Sequence, residues 1–221
     1  MSDVLVRFDD VDFSYAPDRP VLAACNFSLE SGRRIGLSGP NGSGKTTLLH
    51  LIVGLLRPTG GRIEAFGKVR SREADFHEVR RRAGLLFQDA DDQLFCPTVA
   101  EDVAFGPLNL AKPRDEVRRI VGRTLESLGL AGYEDRITYK LSGGEKRMVA
   151  LATVLAMQPE VLLLDEPAAG LDEHYTGRIV EVLSNLPQAM LIVAHDRRFL
   201  SQTTNQSFHL VSGRLHPCDT E

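Results

Sequence analysis

Residues 39 to 46 read GPNGSGKT, a full match to G-x-x-x-x-G-K-[ST] at the point where a strand-like pattern gives way to the apolar-periodic TTLLHLIVGLL. Gly39, Gly42 and Gly44, with Pro40, Asn41 and Ser43 between them, can turn consecutive backbone N–H groups inward on an anion, because no Cβ blocks the turn or the approach. The positive end of the following helix, about half a unit charge, adds to that attraction. Lys45 is placed to neutralise β and γ phosphates, and the Thr46 hydroxyl to ligate a Mg²⁺ that bridges the same oxygens. The chemistry is recognition of a nucleoside polyphosphate, which kinases, GTPases, helicases and transport motors share.

Three further groups of residues narrow the class. LSGGE at 141–145 sets Ser142, Gly143 and Gly144 at a helix start, where a hydroxyl and free N–H groups offer a second anion site. VLLLDEP is a buried strand ending in Asp165 and Glu166, whose side chains point in different directions and so can take different roles. His195 closes a second apolar strand, AMLIVAH. In FQDADDQLFCPT, Asp89, Asp91 and Asp92 first raise a metal site, but the glycine and terminal glutamate of a calcium loop are absent and no His or Cys completes a transition-metal set.

The elements that must position these residues can be read from periodicity. Alternation in VLVRFDDVDFSY and CNFSLESGRRIGLSG predicts strands, and GRIEAFG another. EVRRRAGLLFQ passes from a helix end into a buried strand. EVRRIVGRTLESLGL puts Val117, Ile120, Val121, Leu125 and Leu128 on one helical face. A helix in GGEKRMVALATVLAM, the strand VLLLD, the helix GRIVEVLSNL and the strand AMLIVAHD complete an alternating α/β pattern, which argues for a mostly parallel wound sheet. The expected organisation is one domain over 1–221, with an α/β core at about 1–88 and 158–221 and an inserted helical subdomain at about 89–157. The polar tail after Leu215 is expected to fray.

Bulk properties exclude several classes. With 221 residues and 43% apolar content the chain can bury a core of its own. A net charge of -4 gives no global reason to bind nucleic acid, and Arg80, Arg81 and Arg82 are expected to form one solvated helix face. Cys25, Cys96 and Cys218 stand far apart, without a zinc or disulfide pattern, which fits a reducing compartment. The N-terminus has acids where a secretory signal needs a basic end, and no apolar run reaches the roughly 18 residues of a membrane span.

Taken together, GPNGSGKT, LSGGE, VLLLDEP, AAGLD and VAHD resemble the ATP-binding cassette (ABC) ATPases over nearly the whole chain. The resemblance implies a P-loop core with an N-terminal antiparallel β-subdomain and a helical subdomain. It implies ATP and Mg²⁺ as ligands, held by Gly39 to Thr47 and, from the opposite subunit, by Ser142, Gly143 and Gly144 in a head-to-tail dimer. Asp165 then holds the Mg²⁺ shell, through water, together with Thr46 and Gln88. Glu166 is the general base, His195 the γ-phosphate sensor, Lys45 and Gln88 further catalytic groups, and Tyr15 the aromatic on adenine; Asp172 falls at the dimer contact. Ala168 and Ala194 depart from the commoner Thr or Ser at those positions without removing a proposed ligand.

DADDQLFCPTVAEDVAFGPLNL, with LSGGEKRMVALATVLAMQPEVLLLDEP, is similar to the energy-coupling factor (ECF) subgroup, above all its cobalt and nickel ATPases. That similarity implies a peripheral subunit on the cytoplasmic face of the cell membrane, gripping a membrane scaffold that works with a separate substrate-binding subunit. Leu94, Phe95, Val99, Val103 and Phe105 are candidates for the gripping surface, with about half of them expected to pack the subdomain instead. Homodimer and pairing with a paralogue both fit, association being ATP-dependent. The alternatives are another ABC or ECF importer, for a vitamin or other solute, and a non-transport ABC ATPase. A chromosome-maintenance ATPase would need a long coiled coil between the P-loop and LSGGE, and no sustained heptads lie there.

Overall fold

The computed structural model describes residues 3–218, and their backbone gathers into two compact units: residues 3–85 with 160–166 and 187–218, and residues 86–159 with 167–186. The first unit is built from two sheets. β1 (Val4–Ala16) and β2 (Arg19–Glu30) form a long antiparallel pair, extended by β4 (Gly60–Ala65) and β5 (Lys68–Val69) in the order β2-β1-β4-β5. Alternation drives this sheet: Val6, Phe8, Val11 and Phe13 of β1 are buried, while Arg7 and Asp12 face out. The register slips between Phe8 and Val11, where Asp10 takes a positive φ of 47° and its carboxylate accepts a hydrogen bond from the Asn26 side chain at 2.8 Å.

The second sheet runs β10-β9-β3-β8-β7-β6. Its strands are β3 (Arg34–Ser38), β6 (Ala83–Leu86), β7 (Val161–Asp165), β8 (Ala189–Val193), β9 (Gln206–Val211) and β10 (Arg214–Cys218). β9, β3, β8 and β7 are mutually parallel neighbours, and β10 closes the edge antiparallel to β9. Every residue of β7 and β8 is buried, as continuous apolar runs require when both faces are covered. Helices α1 (Lys45–Ile52), α2 (Glu73–Arg82) and α7 (Arg197–Thr203) accompany these strands. One apolar core joins the sheets, with Phe8, Leu29, Ile35, Leu49, Ile52, Ile63 and Leu191 almost wholly excluded from solvent.

The second unit is helical. Its helices are α3 (Val99–Asn109), α4 (Arg114–Ser127), α5 (Gly143–Leu155) and α6 (Glu173–Asn185), and α4 packs through the expected face, with Val117, Ile120, Val121, Leu125 and Leu128 buried. The segment 167–186, which carries α6, belongs to this unit. α3 begins with a capping box in which Thr98 and Glu101 satisfy each other's backbone N–H groups.

CNFSLESGRRIGLSG holds strands as expected, and a turn at Ser31 and Gly32 sends β2 and β3 into different sheets. Two local expectations change. The tail does not fray directly after Leu215, because His216 to Cys218 stay in the β9–β10 ladder; residues 219–221 lie outside the described residues. Nor are Arg80, Arg81 and Arg82 one solvated face. Arg80 donates to the Val53 and Gly54 carbonyls, capping the end of α1, and Arg82 stacks over Phe66 while pairing with Glu160 at 2.6 Å. Only Arg81 is left to solvent among the three.

Candidate nucleotide site

The loop from Gly39 to Gly44 connects β3 to α1, and its shape depends on two glycines in particular. A Cβ on Gly39, at φ 152°, would lie 2.5 Å from the Leu210 carbonyl oxygen of β9; one on Gly44, at φ 103°, would lie 2.6 Å from Val21 Cγ1. The loop is thus held tight against its own unit, and only a residue without a side chain fits at either point. Inside it, the ammonium of buried Lys45 donates to the Gly39 and Pro40 carbonyls, both at 2.9 Å. Burial lowers the Lys45 pKa from its ordinary value, while the carboxylates of Glu166 and Asp165 act in the opposite direction. The loop has gathered a cation and oriented it before any anion arrives.

The end of β7, separated from β3 by β8, delivers the two carboxylates. Asp165 Oδ2 accepts a 2.6 Å hydrogen bond from the Thr46 hydroxyl. Glu166 leaves the strand with a φ of 48°, in the left-handed region that costs a non-glycine residue about 1–3 kcal/mol. Its N–H is tied to the Val193 carbonyl at 2.9 Å, and its carboxylate meets His195, 3.3 Å from Nε2 and 3.4 Å from the His195 backbone nitrogen. Burial raises the Glu166 pKa above its usual value, against the lowering effect of His195. A carboxyl so placed is a better proton acceptor than an ordinary surface glutamate.

Tyr15, at the end of β1, stands 63% exposed, packs edge-on against Phe13, and shares a 3.0 Å hydrogen bond with the Thr47 hydroxyl. Its ring is therefore anchored beside the start of α1 with a face in solvent. The first unit thus brings together Tyr15, the loop from Gly39 to Thr47, Asp165, Glu166 and His195. The site also fits Mg²⁺: Thr46 and Asp165 present hard oxygen donors side by side, and the buried Ser43 hydroxyl has no hydrogen-bond partner among the described residues.

Gln88, Ser142, Gly143 and Gly144 belong to the second unit. Ser142 is the N-cap of α5; its hydroxyl accepts from Glu145 N–H at 3.3 Å while Glu145 Oε2 accepts from Ser142 N–H at 2.8 Å. The two glycines do different work. A Cβ on Gly144 would strike the Tyr175 ring at 2.3 Å, whereas a Cβ on Gly143 meets nothing within 4 Å. Gly144 is required for packing within the unit, and Gly143 leaves open space at the helix start. Asp172 caps α6, accepting from Tyr175 N–H at 2.9 Å.

Two of the three acids of FQDADDQLFCPT have structural partners. Asp89 caps the short turn Ala90–Asp92, and Asp91 pairs with Lys146 of α5 at 2.6 Å. Beyond them the five candidates for partner contact divide. Leu94, Val99 and Val103 are buried, while Phe95 and Phe105 are 64% and 47% exposed and stack edge-on at 4.8 Å. They adjoin an apolar groove of about 670 Å³, lined by Cys96, Ala104, Phe105, Leu108, Val117 and Val121, with Glu101, Glu134 and Arg118 at its sides.

Two buried charges of the second unit escaped the sequence reading. Arg147 of α5 is 4% exposed; its guanidinium donates to the Pro167 carbonyl at 2.9 Å and to the Phe87 and Gln88 carbonyls at 2.5 and 3.0 Å. It ties the backbone at Gln88 to the residue that follows Glu166. Little in the sequence signals this role, because Arg147 directly follows Glu145 and Lys146 and reads as one more charge of the first turns of α5. Asp102 of α3, 2% exposed, accepts from Phe95 and Cys96 N–H and from the Thr138 hydroxyl, joining the groove's loop to the turn before LSGGE.

Comparison with known proteins agrees with this architecture. The ABC transporter family profile matches residues 22–169. The energy-coupling factor transporter ATP-binding protein EcfA of Methanothermobacter thermautotrophicus is 42% identical over 215 residues, covering 96% of this chain and 69% of that protein. The structure of cbiO1 from Clostridium perfringens, described as part of the ABC transporter complex cbiONQ, superimposes with a TM-score of 0.87 at 33% identity, covering 97% of this chain and 87% of its own. The ATP-binding cassette MJ0796, a dimer in a post-hydrolysis state bound to ADP and Pi, gives a TM-score of 0.86 at 25% identity, covering 96% and 97%. With its phosphate loop, strand-end carboxylates and LSGGE helix on that fold, the chain belongs to the ABC transporter ATP-binding family, whose members are ATPases.

Proposed function

We propose that this chain is the motor subunit of an ECF-type importer, docked on the cytoplasmic face of a membrane scaffold and powering uptake of cobalt or nickel through a separate substrate-binding subunit. The observation that carries the reading is the apolar groove flanked by exposed Phe95 and Phe105, placed in the chain directly after Gln88, where the ECF-like sequence lies. Its size suits one amphipathic helix of a membrane partner, and Glu101 and Glu134 complement a basic helix end. The similarity to EcfA and to cbiO1 supports the ECF-type part of this reading.

In this reading two copies associate head to tail when ATP is bound. Gly39 to Thr47 wrap the phosphates of one nucleotide, Tyr15 stacks on its adenine, and Ser142, Gly143 and Gly144 of the opposite subunit close on its γ-phosphate. Lys45 exchanges its two carbonyl partners for phosphate oxygens, a charge-assisted contact stronger than the one it gives up. Thr46 directly and Asp165 through water would hold Mg²⁺, which when bound would offset charge on the β and γ oxygens. Glu166 takes the proton of the water that attacks the γ-phosphorus, the bond to the ADP oxygen breaks, and His195 donates to the phosphoryl group and orients Glu166. For Gln88 the assignment rests on the family pattern together with the Arg147 grip on its carbonyl.

The test is co-purification from membranes followed by uptake. The tagged chain is expected to recover a scaffold protein, Phe105→Asp to lose it while the soluble chain keeps its melting temperature within about 2 °C, and a deletion strain to lose Co²⁺ or Ni²⁺ uptake. Recovery of a different class of importer, or unchanged metal uptake, overturns the reading.

A further inference from the structure

Position 145 poses an electrostatic problem that the neighbouring residues solve. Glu145 is the third residue of α5, within one turn of the helix start that the proposed function directs at a γ-phosphate, and a second anion there repels the first. The Ser142 N–H, the Tyr133 hydroxyl and Arg136 all favour the ionised form and lower the Glu145 pKa despite burial. The carboxylate is therefore charged when nucleotide arrives.

Its Oε1 accepts from Arg136 Nη1 at 2.8 Å and from the Tyr133 hydroxyl at 2.9 Å, and the Arg136 guanidinium lies 3.6 Å above the Tyr133 ring. Tyr133 thus fixes both the acid and the base in one arrangement. The backbone of Arg136 is itself anchored, its carbonyl accepting from Val99 N–H at 3.1 Å at the start of α3. Lys146, the next cation along α5, is engaged with Asp91.

We propose that Arg136, held by Tyr133, is the counter-ion that makes a glutamate in the LSGGE helix start compatible with an incoming phosphate, and so is a positioning residue for ATP-driven dimer closure. This rests on the head-to-tail reading above. Arg136 does not touch nucleotide; it cancels the charge of the capping carboxylate, leaving Ser142 and the free N–H groups to act on the anion undiminished. The cap itself needs only an acceptor at position 145, which glutamine also provides.

The experiment measures ATP-driven dimerisation by analytical ultracentrifugation in a Glu166→Gln background, alongside ATP binding to the monomer. Arg136→Gln is expected to weaken dimerisation about tenfold with monomer binding unchanged, the size of effect typical of losing one charge-assisted contact at an interface. Arg136→Lys should recover part of the loss. Adding Glu145→Gln to Arg136→Gln should restore dimerisation to within about twofold of the parent, since the repulsion is removed with its source. An unaffected Arg136→Gln overturns the proposal. So does a weakened one that Glu145→Gln leaves unrescued, because a lost stack on Tyr133 would act through structure alone. A parent that stays monomeric with ATP overturns the dimer reading itself, and this proposal with it.

Discussion

At the scale of single residues, Glu166 combines a strained backbone with a desolvated carboxyl, the arrangement that its proposed role as base calls for. Its left-handed backbone is tied down by the Val193 carbonyl, and its pKa stands above the ordinary glutamate value because of burial. Between the ordinary and the raised value the folded chain binds more protons than the unfolded one, so this residue makes stability fall as pH rises through that window. Glu166→Gln is therefore expected to raise the melting temperature of the nucleotide-free chain at neutral pH while hydrolysis drops by about 10²- to 10⁴-fold. For the unaltered protein, turnover should decline as pH is lowered into the raised Glu166 range, above where an ordinary glutamate would titrate. A phosphate-release assay and a thermal melt across pH check both, and a pH-independent rate would remove Glu166 from the role of base.

At the scale of elements, α5 does several jobs at once: it caps itself with Ser142 and Glu145, packs through Gly144, and reaches back through Arg147. The two glycines of its first turn should respond oppositely. Gly144→Ala puts a methyl into the Tyr175 ring and should cost about 1–3 kcal/mol of stability. Gly143→Ala meets no neighbour, so the melt should stay unchanged while ATP-driven dimerisation is lost. Arg147→Met removes a buried cation together with three carbonyl contacts. Loss of the tether should cost on the order of 1 kcal/mol of stability for each contact broken. Hydrolysis should fall more than ATP binding, because the tether acts on the backbone at Gln88 and after Glu166 rather than on the phosphate loop. Equal losses of binding and rate would show that the tether is purely structural.

At the scale of the whole molecule, the proposed head-to-tail reading makes the phosphate loop and the LSGGE helix start complementary halves of one site. Two copies related by a two-fold axis complete two such sites with one interface. The Glu166→Gln protein should sediment as a monomer without nucleotide or with ADP and as a dimer with ATP, with association weakening as salt rises because charged groups meet there. A dimer equally stable without nucleotide would mean that another surface holds the copies together.

Much of this was legible before any fold was known, for a physical reason: phosphate recognition by a glycine loop and a helix start is local in the chain. GPNGSGKT, LSGGE and the apolar strand ending in Asp165 and Glu166 announce their own geometry, and continuous apolar runs in VLLLD and AMLIV announce strands covered on both faces. What sequence determined, then, was the class of chemistry and the alternation of elements that carries it. Tertiary structure alone decided which apolar residues after Gln88 are surface, since Leu94, Val99 and Val103 have the same character as Phe95 and Phe105 yet turn inward. It alone decided that Arg147 grips carbonyls some 60 positions away, that Arg80 and Arg82 are tethers, and that Arg136 answers Glu145. Those partnerships join side chains to groups on other elements, and no local pattern encodes a partner that only folding brings within reach.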